Sequence, residues 1–353
     1  MHMLRNRKRW AIVTLAACVA AVCLCAVATF AVDPFELYRE SSILPLYDHQ
    51  SYCIPGIAKN YDYNAVVLGT SMIEMMRPSV IDECLDVQSV KLPMRGSYTA
   101  QMGWELDHIF RYKEKRGETL DLAILAVDAY SLVGKVDDSD ELHAYMWNDN
   151  PLDDVNYLLN RDVIFVEIPK LLRNAGKPAD KKRDSMYMWT DVTFGRDSVM
   201  AAMPGPQPDN GIQPEDYRIE RSTANIETHI EKYVREHPET RFVIYMPPYS
   251  LGYWYITLRN GLIAQQMRSR ALVCEKLLAY PNVEIYDFSS RMDWISNFDH
   301  YCDYSHHSAQ LSDEIIRAIA AGENRVFSVE DMAEGSRRIR AAADEFAKTY
   351  EGR

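Results

Sequence analysis

A chain of 353 residues with 47% hydrophobic content is long enough for one large α/β domain or two modest ones, and its sizeable core excludes a disordered protein. The formal charge of −12 hides an asymmetry: with the four basic residues before Trp10 set aside, 35 Lys and Arg face 51 Asp and Glu, a net −16. That balance argues against a nucleic-acid partner, since phosphate binding needs a basic footprint, and the acidity by itself reads as solubility.

Arg5, Arg7, Lys8 and Arg9 precede twenty-three uncharged residues from Trp10 to Val32, enough to cross a bilayer. The run predicts a transmembrane signal anchor at 10–32 and a single-pass protein of the cell membrane. Residues 1–9 are then cytoplasmic and everything after Asp33 lies outside, because basic flanks stay inside. Two other readings stay open. Ala26-Val27-Ala28 offers small residues for signal-peptide cleavage, although the apolar stretch exceeds the usual length. Leu15-Ala16-Ala17-Cys18 resembles a lipoprotein box, although fourteen apolar residues follow Cys18. Three of the seven cysteines sit in the anchor, and Cys53, Cys84, Cys274 and Cys302 define no pairing.

Residues 33–60 read as an irregular lead-in broken by Pro34, Pro45 and Pro55. Strand and helix then alternate. Asn64 to Leu68 is a short apolar strand, Gly69-Thr70 a tight turn, and Ser71-Met72-Ile73-Glu74 opens a helix that Pro78 interrupts. Val87 to Leu92 is a second strand, and Tyr98 to Lys115 an amphipathic helix with Met102, Leu106, Ile109 and Phe110 on one face. Leu122 to Val127 is a third strand, apolar throughout as when both faces are covered. Residues 131–215 form an insertion with one well-signalled helix, capped by Asn150 with Pro151 in its first turn, and with aromatic loops including Tyr145, Trp147, Tyr187 and Trp189. It reads either as a lid or substrate wall or as a small packed subdomain. The alternation resumes with a helix at Glu215–Glu236, a strand at Phe242–Met246 ending in Pro247-Pro248-Tyr249-Ser250, a helix at Leu258–Tyr280 and a last strand at Val283–Tyr286. Helices at Ala309–Ala321 and Val329–Lys348 follow. The pattern predicts an α/β domain over 61–328, a three-layer α/β/α sandwich with a parallel, doubly wound, flavodoxin-like sheet, and then a C-terminal helix at 329–353. With no internal repeat or Gly-rich phosphate loop, no cofactor is expected.

The densest chemistry lies at Asp299-His300-Tyr301-Cys302-Asp303-Tyr304-Ser305-His306-His307. An Asp three residues before a His lets one loop present both to a common point. Ser71, just past the first strand and at a helix start, is the best partner, because functional groups gather at the carboxyl ends of strands in such sheets. A hydroxyl near neutral pH needs an adjacent base and the base an orienting group, roles that Ser71, His306 and Asp303 would fill. Plainer readings compete: Ser71 with Glu74 also fits a capping box, and the His-rich loop also reads as a polar surface loop. A metal site at His300, Cys302, Asp303, His306 and His307 lacks a second cluster and the usual tight zinc spacings.

These segments resemble the first and last blocks of the SGNH (GDSL-type) hydrolase superfamily: strand-Gly69-Thr70-Ser71-helix at the start, and Asp303-x-x-His306 before the last helix, over about 61–322. The resemblance implies Ser71 as nucleophile, Asp303 and His306 as its partners, and an oxyanion hole from the backbone of Ser71 and of Gly96, in Met94-Arg95-Gly96-Ser97-Tyr98. The third block's usual Asn is replaced in Val127-Asp128-Ala129-Tyr130, and a carboxylate at Asp128 would repel a developing oxyanion unless protonated. The anchor, the divergent third block and Pro247-Pro248-Tyr249-Ser250 look like the membrane-tethered branch that includes the teichoic-acid D-alanyl transfer protein and the alginate O-acetylation proteins. That branch implies an acyl-serine intermediate, an envelope glycan or lipid substrate, and a membrane-bound O-acyltransferase as partner. Asp128, Tyr249, Ser250, His300 and His307 are the candidate substrate contacts. A noncatalytic SGNH-like binding or scaffold protein is the alternative that Asp128 motivates.

Overall fold

The structure, a computed structural model, describes residues 2–40, 49–137, 143–174, 182–203 and 215–351. In chain order, α1 (His2–Val32) and α2 (Gln50–Asn60) precede β1 (Ala65–Gly69), α3 (Pro78–Leu85), β2 (Ser89–Pro93), α4 (Thr99–Arg116) and β3 (Leu122–Ala126). Short helices come next: α5 (Ala144–Trp147), α6 (Val155–Leu158), α7 (Ile168–Asn174), α8 (Lys182–Ser185) and α9 (Arg196–Ala202). Then α10 (Glu215–Ile226) runs through a π-turn into α11 (Lys232–Glu236), followed by β4 (Arg241–Met246), α12 (Leu251–Arg259), α13 (Ile263–Leu277) and β5 (Val283–Asp287). The chain continues with α14 (Met292–Ile295), α15 (Ala309–Ala321), β6 (Arg325–Val326) and α16 (Val329–Glu351). Two compact units result, Met1–Tyr61 with Glu141–Lys182, and Asp62–Asp140 with Arg183–Arg353.

The larger unit is a mixed α/β body around a six-stranded sheet in the order β2-β1-β3-β4-β5-β6. The first five strands run parallel, and β6 pairs antiparallel to β5 through only two residues, too few to leave a signal in the sequence. Every residue of β1, β2 and β3 is buried, which is why β1 and β3 read as continuous apolar runs; β2 carries the polar Ser89 and Lys91. Lys91, in the middle of β2, is the exception in kind. Its Nζ donates to the carbonyls of Glu74 at 2.5 Å, Met76 at 2.7 Å and Asp184 at 3.3 Å, and burial pulls its pKa down to about 7. The three carbonyls replace water around the ammonium and pin the turn that follows β1.

Several expected elements differ. Ser71–Ile73 is a single 3₁₀ turn rather than a helix, and Pro78 begins α3 instead of interrupting one, at the first position, where its missing N–H costs nothing. The helix expected at 258–280 is two helices, α12 and α13, separated by a turn at Asn260–Leu262, and α12 starts earlier because the Ser250 hydroxyl caps it by accepting from the Gly252 N–H at 3.1 Å. The C-terminal α16 is part of the sheet unit, where Met332, Ile339 and Ala343 are fully buried.

The smaller unit holds α1, long and apolar enough over Arg7–Val32 to cross a membrane. The lead-in is not irregular throughout: α2 carries Pro55 in its interior, because burying Cys53, Ile54, Ile57 and Ala58 outweighs one lost backbone hydrogen bond. Pro45 lies outside the described residues. In the expected helix near Asn150, the Asn150 side chain accepts only from the Leu152 N–H at 3.2 Å, and the helical path then breaks into α6, a π-turn at Val163–Glu167 and α7. The insertion is therefore divided: Glu141–Lys182 packs with the N-terminal segment, whereas the part from Arg183 onward belongs to the sheet unit.

Candidate functional site

Ser71 is placed by what surrounds it. Gly69 ends β1 where any side chain would collide with Ala126 of β3, a Cβ there falling 2.7 Å from that methyl, so only glycine lets the two strand ends approach this closely. Thr70 supplies the N-cap, its hydroxyl accepting from the Met72 N–H at 3.4 Å and donating to Asp128 Oδ2 at 2.8 Å. Glu74, the other half of the alternative capping box, points elsewhere: it is buried and bound by the Arg95 guanidinium through Nε at 2.5 Å and Nη2 at 3.1 Å. The Ser71 hydroxyl is thus left for a distant partner, and its Oγ lies 2.8 Å from His306 Nε2.

The loop carrying His306 is closed upon itself. Tyr301 and His307 form an isolated antiparallel bridge, and the Cys302 N–H donates to the His306 carbonyl at 3.1 Å. Asp303 stiffens the interior, its Oδ1 accepting from the N–H groups of Ser305 and His306 at 2.7 Å each while its Oδ2 sits 2.6 Å from His306 Nδ1. Burial raises the Asp303 carboxyl, but the hydrogen bonds and charge of His306 and the two backbone N–H groups outweigh it and leave the group below its ordinary value. An ionised carboxylate against Nδ1 selects the tautomer protonated there, so Nε2 is free to accept the Ser71 proton. Pro247-Pro248-Tyr249-Ser250 supports the loop: the Tyr301 hydroxyl donates to the Pro248 carbonyl at 2.7 Å, and the Ser250 hydroxyl to the Tyr304 carbonyl at 2.7 Å.

Ser71, His306 and Asp303 open onto a cavity of about 620 Å³, also lined by Met72, Arg95, Gly96, Tyr130, Trp189 and Tyr249, among others. Gly96 adopts φ +65°, a left-handed turn at the carboxyl end of β2 that brings backbone rather than side chain to the cavity. Among the described residues neither the Ser71 nor the Gly96 N–H has a protein acceptor, so two amide donors are available to a developing anion. Cys302 lines the same cavity, but burial, with help from Asp303, pushes its thiol up to about 11, which keeps it protonated and a poor nucleophile.

The remaining sequence candidates fall into place unevenly. Asp128 is fully buried and outside the cavity lining, with Thr70 on Oδ2 and the Tyr249 hydroxyl on Oδ1 at 2.7 Å. Burial raises its pKa to about 6 against the pull of those two donors. Tyr249 borders the cavity, stacked on Tyr253 at 4.1 Å, and Ser250 is buried in its capping role. His300 and His307 do not line the cavity; His307 is buried, and its Nε2 has no hydrogen-bond partner among the described residues. Among those residues no three His, Cys, Asp or Glu side chains converge as metal ligands would.

Arg95, Trp189, Tyr130 and Tyr253 line the cavity without having been assigned to the site from the sequence. Trp189 meets His306 edge-on at 4.8 Å and donates its indole N–H to Glu74 Oε2. A Gly-adjacent Arg after β2 and a Trp in an aromatic-rich insertion were the available signals, but nothing in their spacing ties them to Ser71. In comparisons with known proteins, no family, no curated protein and no solved structure matches the chain.

Proposed function

We propose that the protein is a membrane-anchored, extracytoplasmic serine acyltransferase or esterase of the SGNH (GDSL-type) superfamily, acting on cell-envelope glycans or lipids. The observation that carries this reading is the hydrogen-bonded chain Ser71–His306–Asp303, at 2.8 and 2.6 Å, opening onto a cavity. The strand order β2-β1-β3-β4-β5, all parallel, is that of a doubly wound sheet and fits a three-layer α/β/α sandwich with its site at the strands' carboxyl ends. Insertion of α1 with Arg5, Arg7, Lys8 and Arg9 inside puts the remainder outside the cell. A membrane-bound O-acyltransferase delivering the acyl group is the partner this reading expects.

The chemistry runs in two halves. Ser71 Oγ attacks the acyl carbonyl as its proton passes to His306 Nε2, and the resulting oxyanion is held by the Ser71 and Gly96 amides. The acyl–oxygen bond of the donor then breaks, its alkoxide leaving with the proton from His306, and acyl-Ser71 remains. A sugar or polyol hydroxyl, or water, enters by the reverse path, again losing its proton to His306. Asp128 occupies the place of the family's Asn but is engaged by Thr70 and Tyr249, so it does not confront the oxyanion; Arg95, which lines the cavity, is itself paired with Glu74.

Purified full-length protein in detergent should hydrolyse small acyl esters, and Ser71→Ala should slow that turnover by about 10⁶-fold while leaving the melting temperature unchanged. Asp128 also suits a noncatalytic binding protein that kept the fold, and in that case Ser71→Ala alters neither turnover nor partner binding.

A further inference from the structure

The segment 152–172 carries more apolar surface than its fold uses. Tyr157, Val163, Ile168 and Leu171 are buried within the smaller unit, yet Leu152, Val155, Leu159, Phe165, Val166 and Leu172 are exposed, Leu152 to 83% and Phe165 to 69%. Leu152, Val155 and Leu159 lie in and beside the single turn of α6, and Phe165, Val166 and Leu172 lie in the helical stretch that follows, so the exposed apolar residues cluster in two neighbouring pieces of chain. Asn156, Arg161 and Asp162 are exposed among them, so the outward face is amphipathic, as suits an element lying at a membrane interface.

Helix α6 and the π-turn at Val163–Glu167 pack against α1, and the face of α1 that loses exposure is Cys25, Ala26, Thr29 and Val32, one stripe over the last two turns. The tie is polar as well: Asp33, just past the apolar run, accepts at Oδ1 from the Tyr157 hydroxyl at 3.0 Å, and that hydroxyl accepts from the Phe35 N–H at 3.2 Å. Cys25 lies about 10 Å down the helix axis from Val32. The apolar run exceeds the roughly 30 Å of hydrocarbon by only about 4–5 Å. Elements that flank Cys25 therefore reach below the membrane boundary when α1 spans it.

We infer that residues 152–172 form a second membrane-contacting element, inserted beside α1 into the outer face of the bilayer with Leu152, Val155, Leu159, Phe165, Val166 and Leu172 against acyl chains. The occupant of this surface is lipid, because the surface is continuous with a helix whose own apolar residues require lipid. The inference rests on the proposed insertion of α1 and is independent of the chemistry at Ser71.

Full-length protein reconstituted in phosphatidylcholine–phosphatidylglycerol vesicles, photolysed with an apolar diazirine that partitions into acyl chains and mapped by mass spectrometry, tests it. The expected result is adducts within 152–172 as well as 10–32, with exposed α16 peptides unlabelled. The double variant Phe165→Asp, Val166→Asp should lose the 152–172 adducts and keep those in 10–32. Labelling confined to 10–32 overturns the inference while leaving the anchor intact, as does protection of 152–172 by cross-linking to a second copy. An unlabelled 10–32 overturns both the anchor and the inference.

Discussion

Thr70 decides what Ser71 is free to do. By capping the 3₁₀ turn and binding Asp128, it takes the structural work that a Ser at a helix start would otherwise perform. Asp128 in turn receives two hydroxyl donors, and its charge is the expensive part of this arrangement, since burial raises its pKa from 3.8 to about 6. The sign follows from linkage: the folded state holds the Asp128 proton more tightly than the unfolded chain, so its contribution is fully present below about pH 4 and is lost as pH rises through about 6. Asp128→Asn cannot titrate. The variant should therefore gain stability relative to wild type by about 2–3 kcal/mol between pH 4 and pH 7, with no further change above. Paired urea titrations across that range measure it, and a pH-independent difference would show that Asp128 is not the buried titrating group described.

At the scale of elements, the site is two strand exits and one closed loop, braced by a segment from the insertion. The exit of β1 was legible in the sequence because that strand, buried on both faces, is a continuous apolar run that Gly69-Thr70 ends, whereas β2 carries Ser89 and Lys91. The loop was legible because Asp303 and His306 are three residues apart and form their contact locally. What was not legible was set by tertiary packing. Trp189 reaches His306 and Glu74 from more than a hundred residues away in sequence, and α2 persists through Pro55 because its buried face overrides local preference. The division of the insertion likewise leaves no mark in composition. The brace is testable: Trp189→Phe keeps the edge-on ring but removes a donor from buried Glu74. It should cost about 1–2 kcal/mol in a urea titration and slow acylation of Ser71. Unchanged stability and rate would detach this segment from the site.

At the scale of the molecule, the proposed placement in a cell rests on one helix long and apolar enough to span a membrane, with a basic flank and an acidic remainder. The account expects protease added outside intact cells, with any outer layer permeabilised, to digest the chain after Asp33 and spare residues 1–9; a protected C-terminal portion would reverse the orientation. The central claim is narrower, that Ser71 is a nucleophile activated by His306 and Asp303. Its most direct measurement is the reaction of folded, full-length protein with a fluorophosphonate, with the adduct located by mass spectrometry. The account predicts one adduct, on Ser71, forming far more slowly in Asp303→Asn. A folded protein that takes no label at Ser71 and turns over no small acyl ester would contradict it.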